Sequence, residues 1–334
     1  MPLDRRSFLQ SLAALVVGYE SAGLAPPGDA RGAPRPAQRD RLGPLLPLRP
    51  LGATGELVTM LGVGGWHVGE MRERDAQATL ESALEGGVRF FDTAESYQGG
   101  GSEARFGRLL VPKVRDVIFL MTKTAARTKA DARRHLEESL RRLRTDRLDL
   151  WQIHALNTPG DVDDRLAAGV LDAVLDAKKE GKARYIGFTG HHNPAAHQRM
   201  LARTDALETC QMPVNVLDPG YHSFITGVMP RLVQRRIGVI AMKTLANGGL
   251  FGGPDNRPPT MPIVIPERVS LAQALHFVWS LPVSVLVTGM NDPGQMKEKI
   301  ALARSFTKMD AAARRSLVAR VADLAGPRLE YYKA

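Results

Sequence analysis

Residues 90–107 read FFDTAESYQGGGSEARFG. Val88 and the two phenylalanines form a short apolar run that ends at an acid, Asp92. Tyr97 lies five residues on, glycines occupy 99–101, and helix-spaced apolar positions follow. A buried strand, a glycine-relaxed loop and an amphipathic helix together make one βα unit. The fold depends on how often that unit recurs.

It recurs along most of the chain. LVTMLGVGG (57–65) comes before it, and VIFLMTK (117–123), LDLWQIH (148–154), ARYIGFT (183–189), LETCQMPV (207–214), GVIAMKT (238–244) and VSVLVTG (283–289) come after it. With VRFFDTA (88–94), these make eight strand candidates, each followed by a helical pattern. The first helix places Ala76, Leu80, Ala83 and Leu84 on one face and stops at Gly86-Gly87. The others are expected at 102–110, 131–144, 165–180, 194–203, 224–236, 270–281 and 293–305. Thr128 with Asp131, Asn193-Pro194 and Asp292-Pro293 supply start signals. Apolar strands alternating with helices imply a parallel sheet covered by helices. Eight pairs in about 250 residues predict a closed (β/α)8 TIM barrel. A doubly wound sheet would show a G-x-G-x-x-G turn after its first strand, and GVGGWHVG does not match it. DAAARRSLVARVADLA (310–325) predicts an additional C-terminal helix outside the barrel.

The chain of 334 residues carries a net charge of +10, but its arginines are interleaved with acids on helix faces such as DARRHLEESLRRLR. This is a solvated pattern, and no nucleic-acid module accompanies it. Cys210 is the only cysteine, and no Cys/His cluster has zinc-ligand spacing, so neither a disulfide nor a structural metal is expected. His191-His192 reads as a solvated loop. Arg5-Arg6 directly before an apolar run to Val17 resembles a twin-arginine export signal over residues 1–33, implying use of the export machinery and a periplasmic or otherwise exported product. Residues 34–50, rich in proline and arginine, are expected to form an extended linker, with the barrel domain spanning 51–334.

Ligand sites of such barrels lie where the strands end. Asp92, Lys123 and His154 end the second, third and fourth predicted strands, and Tyr97 follows Asp92, so all four meet on one rim. Lys123 follows an apolar run and needs a carboxylate partner, for which Asp92 is placed. A phenol beside an ammonium is expected to have a lowered pKa and to act as a proton donor. A neutral His154 can hold a carbonyl in line. Taken singly, each has a structural role open to it: Asp92 as a helix cap, Tyr97 as a loop anchor, Lys123 in an ion pair, His154 as a strand-end imidazole.

GVRFFDTAESY, the TK at 122–123, LDLWQIH and YIGFTG, in this order, resemble the aldo-keto reductases, and the likeness runs from Leu51 to about Ser305. The resemblance implies that Asp92, Tyr97, Lys123 and His154 are the catalytic tetrad, that a small aldehyde or ketone is reduced, and that hydride comes from NADPH or NADH, with NADPH favoured. It places Thr189, Gln211, Met242, Lys243, Gly289 and Gln295 on the cofactor. Trp66 and His67, directly after the first strand, are read as lining the substrate opening, with core packing equally open to the tryptophan. The long stretch 251–268 would fold over the pyrophosphate. The chain departs from the family at Thr189-Gly190, where Ser-Asn is usual, and at Met242, where an aromatic residue usually stacks on the nicotinamide. It also lacks the Lys, Ser and Arg that hold a 2′-phosphate. Two other functions stay open: a Schiff-base lyase using Lys243 or Lys123, and a non-catalytic nucleotide-binding sensor or accessory subunit.

Overall fold

The computed structural model describes residues 38–251 and 266–334. The segment read as an export signal, residues 34–37 of the expected linker and most of the stretch 251–268 lie outside the described residues. Eight parallel strands close into a barrel in sequence order: β5 (Leu61–Gly64), β6 (Phe90–Asp92), β7 (Phe119–Thr124), β8 (Leu148–Ile153), β9 (Ala183–Thr189), β10 (Thr209–Pro213), β11 (Gly238–Met242) and β12 (Val285–Thr288), with β12 pairing back to β5. The fold is the (β/α)8 barrel.

Strand alternation divides the core into two. Phe90, Phe119, Met121, Leu150, Ile240, Val285 and Val287 point inward and fill the barrel. Their neighbours Phe91, Leu120, Trp151, Ile153 and Leu286 point outward under the helices. Asp92 pairs in register with Met121, and Lys123 lies two residues beyond it, so Asp92 and Lys123 continue the inward rows into the rim layer.

The expected linker is corrected over its described part. Residues 38–50 fold as two antiparallel pairings, β1 (Arg39–Asp40) with β2 (Gly43–Pro44), and β3 (Leu48–Pro50) with β4 (Leu57–Thr59). Prolines are tolerated here because these are edge strands. The segment that suggested a solvated tether is anchored: its Asp40 pairs with Arg89 at 2.6 Å, its Arg41 pairs with Asp116, and its Arg49 donates to the Trp279 and Val283 carbonyls. Leu51 and Val58 plug the bottom of the barrel. The run LVTMLGVGG is therefore two strands, β4 in the plug and β5 in the barrel.

Thr128 and Asp292 side chains accept from Asp131 N and Gln295 N, as the start signals imply. The helix expected at 165–180 is two, Pro159–Ala167 and Val170–Lys179, because Gly169 takes a left-handed φ of +77° between them. The span 224–236 is likewise divided into Phe224–Gly227 and Met229–Gln234. The additional C-terminal helix is Ala311–Val321. No described helix is long and apolar enough to cross a membrane.

Candidate active site

Lys123 and Asp92 are 1% and 2% exposed at the top of the barrel interior. The Lys123 ammonium donates to Asp92 Oδ1, to the Thr93 carbonyl at 2.7 Å and to Tyr97 Oη at 3.2 Å. All three of its protons are used. Gln211 Nε2 donates to the other Asp92 oxygen at 2.9 Å, so the carboxylate is satisfied as well. Tyr97 accepts from the lysine, which leaves its own O–H free to donate into the groove.

The loop that delivers Tyr97 is held at several points. Glu95 accepts from Ala125 N at 2.8 Å, and Thr93 Oγ1 lies 2.8 Å from Ser102 Oγ, which donates to the Gly65 carbonyl. Gln98, Gly99 and Gly100 then take positive φ in succession and turn the chain into the helix Gly101–Leu109. A Cβ at Gly100 would meet the Arg142 side chain at 2.7 Å. Arg142 is fixed in turn by Glu103, which is fully buried and also accepts from Thr122.

The His154 ring lies 5.8 Å from the Tyr97 ring, and its Nδ1 is 3.4 Å from Ser96 Oγ. Trp66 stands edge-on to Tyr97 at 5.2 Å from the helix Gly65–Glu70 and keeps 38% of its surface exposed, forming a wall of the opening. His67 packs beside Gly289, where an added Cβ would meet its ring at 2.3 Å.

Burial sets the proton affinities. Burial alone would lower Lys123, but attraction to Asp92 and Tyr97 outweighs it and the ammonium is held above its ordinary pKa. His154 is pushed well below the usual imidazole value by burial, then by Lys123 and His191, and is neutral. The expectation of a lowered phenol is corrected: burial, reinforced by the Asp92 charge, outweighs the pull of Lys123, and Tyr97 rises above its ordinary value.

A groove of about 490 Å³ runs from Tyr97 and Trp66 past Gln211 and Met242 to Gln295 and Lys299. Lys243 and Gly289 also line it. Thr189 does not; it is buried in β9, opposite Gln211 in register. The Gln295 carboxamide oxygen is already engaged by Asn291 N. Lys299, absent from the sequence reading, donates to the Gly289 carbonyl, and burial lowers it to about 8.

The C-terminal tail also escaped the sequence reading. Lys333 is buried and pairs with both Asp218 and Glu330 at 2.7 Å. Asn215 donates to Tyr332 Oη, to Glu330 and to the Lys243 carbonyl. His191 lies 3.0 Å from the Tyr332 carbonyl, and burial lowers its pKa to about 4, so it is held by the tail rather than solvated. Among the described residues, no group of His, Cys, Asp and Glu is arranged to hold a metal ion.

A closed eight-stranded barrel with a buried carboxylate, an ammonium and a phenol in contact at its rim defines an acid–base site beside a long groove. Residues 60–264 match the model of the Aldo/keto reductase family. The chain belongs to this family and is an oxidoreductase. It is 28% identical over 286 residues to L-galactose dehydrogenase of Arabidopsis thaliana, covering 76% of this chain and 87% of that one. A 6-dehydroglucose reductase of Novosphingobium aromaticivorans is 36% identical over 167 residues, 44% of this chain and 52% of its own. Among solved structures, an aldo-keto reductase of Bacillus halodurans in its holo form superposes with a TM-score of 0.69 at 24% identity, covering 82% and 96% of the two chains. One from Klebsiella pneumoniae, solved with NADPH, gives 0.63 at 22%, covering 80% and 93%. At these identities the structures speak for the fold alone.

Proposed function

We propose that this protein reduces a small aldehyde or ketone with a nicotinamide dinucleotide, NADPH before NADH, and that Tyr97 gives the proton. The single observation that carries this reading is the Lys123 ammonium bridging Asp92 and Tyr97 Oη at the head of the groove. The groove also suits the cofactor: Gln211 Oε1 and Thr244 Oγ1 belong to residues in its wall and are buried without a hydrogen-bond partner. These two residues would hold the nicotinamide half, and Lys299 would lie toward the adenosine half. NADPH is the cofactor bound by the Klebsiella relative.

When bound, the reduced nicotinamide supplies the hydride. Tyr97 donates its proton to the carbonyl oxygen, and Lys123 stabilises the phenolate left behind. Asp92 keeps the lysine charged. Neutral His154 donates a hydrogen bond that orients the carbonyl, and Trp66 walls off solvent. Because burial raises the phenol, Tyr97 stays protonated at neutral pH, the form that reduction needs.

Lys123 is fully engaged by three oxygens, which speaks against it as a Schiff-base nucleophile. Titration of NADPH into the protein followed by fluorescence, with a panel of carbonyl compounds watched for loss of the reduced-nicotinamide absorbance, tests the reading. Binding with turnover supports it. Binding without turnover on every carbonyl favours the sensor instead, and an adduct trapped by borohydride favours the lyase.

The N-terminal Arg5-Arg6 pattern supports a second part of the proposal, export through the twin-arginine route to the periplasm. Arg5→Lys with Arg6→Lys should then retain the protein in the cytoplasm on fractionation.

A further inference from the structure

Lys243 directly follows β11, and the proton transfer proposed above gives its side chain no part. It takes a left-handed φ of +56°, uncommon outside glycine, and its carbonyl is held there by Asn215 Nδ2 at 3.2 Å and by Ala246 N at 2.9 Å. Lys243 is one of the residues that line the groove. Its ammonium has three protons to give, but among the described residues it has one hydrogen-bond acceptor, Asn247 Oδ1 at 3.1 Å, and no carboxylate within pairing distance. The Tyr332 ring, 5.5 Å away, backs it from the tail side.

Its neighbours place it on the substrate side of the groove. Tyr332 also packs against His191, with ring centres 6.0 Å apart. Burial, and then the nearby Lys243 ammonium, lower His191, which in turn neighbours His154, the imidazole beside Tyr97. The opposite end of the groove has its own charges, Glu298 and Lys299. Among the described residues, the acids near the mouth each have a partner other than Lys243. Asp92 is shared by Lys123 and Gln211, Asp218 and Glu330 share Lys333, and Glu95 faces Ala125 N and His135. An amine that burial lowers to about 8 gains most from an anion brought to it in the groove.

We propose that Lys243 anchors an anionic group of the substrate, so that the carbonyl compounds this site prefers carry a carboxylate a short chain away from the carbonyl. The proposal rests on the reductase reading and adds a substrate class to it. Only binding is involved: the ammonium and two carboxylate oxygens form charge-assisted hydrogen bonds, and no covalent bond changes at the lysine.

The test compares 4-oxobutanoate with butanal in the wild type, Lys243→Met and Lys243→Arg, each in the full chain with NADPH. The wild type should favour the carboxylate. Lys243→Met should reduce the ratio of the two kcat/KM values roughly ten- to a hundredfold, mainly through KM for 4-oxobutanoate, and Lys243→Arg should restore much of it. Equal losses on both aldehydes, accompanied by weaker NADPH binding, would put the amine on the cofactor and overturn the proposal. So would a wild type indifferent to the carboxylate. Succinate binding by calorimetry, present in the wild type and abolished in Lys243→Met, is a readout independent of turnover. It upholds the anion site even if every carbonyl goes unreduced, a result that would count only against the reductase reading; no succinate binding to the wild type would overturn the proposal.

Discussion

Lys123 Nζ lies 3.2 Å from Tyr97 Oη and 4.7 Å from the centre of its ring, so the ammonium sits at the hydroxyl end of the phenol and partly over its face. This contact joins the buried ion pair to the group that meets substrate.

Replacing the ammonium should therefore damage both chemistry and fold. Lys123→Met leaves Asp92 buried with Gln211 as its remaining partner, and loss of one member of a buried pair costs about 3–5 kcal/mol. Lys123→Met with Asp92→Asn should recover much of that stability in urea unfolding, but none of the turnover.

The raised phenol sets the pH profile. Reduction needs Tyr97 protonated, so kcat/KM in that direction should hold through neutral pH and fall only above about 10. Oxidation of the alcohol needs the phenolate and should rise over the same alkaline range. Rate profiles in both directions check this. A reduction limb falling near neutrality would contradict it.

The tail should act as a structural clasp. Lys333 is the cation shared by two buried acids, and Lys333→Met should cost about 3–5 kcal/mol in chemical denaturation. Burial already raises Glu330 toward its neutral form, so adding Glu330→Gln to the Lys333→Met variant should return part of the loss.

Acid should weaken the fold through the neutral histidines. His197 is fully buried against Phe188 and Phe224, and burial lowers it to about 4. The unfolded chain binds that proton near pH 6.5, so the native state holds fewer protons between the two values. The contribution is complete above about 6.5 and is lost as pH falls toward about 4, roughly 3 kcal/mol for this residue. Melting followed across that window should show it, and His197→Gln should flatten the slope.

The barrel was legible because each strand carries its own evidence: an apolar run, a polar end and a capped helix beyond it. Asp92 and Lys123 could be placed on the rim for the same reason, since strand alternation is local. The linker was misread because composition does not show that Arg89 and Asp40, far apart in sequence, meet and tie it down. The phenol shift came out with the opposite sign because adjacency to Lys123 is visible in the sequence, whereas the burial that outweighs it belongs to the packed structure. The tail cluster was invisible: Lys333 and Asp218 are 115 residues apart. Their spacing follows no helix or strand period. Glu103 is similar, an acid on a helix whose burial depends on Arg142 from another helix.

The most direct measurement is reduction by Tyr97→Phe in single turnover, with NADPH binding followed separately by fluorescence. The phenyl ring keeps the packing against Trp66 and His154 but has no proton to give. NADPH should still bind, and the rate of carbonyl reduction should fall by roughly 10²- to 10⁴-fold. A variant that binds NADPH and reduces the carbonyl at close to the wild-type rate would contradict the account.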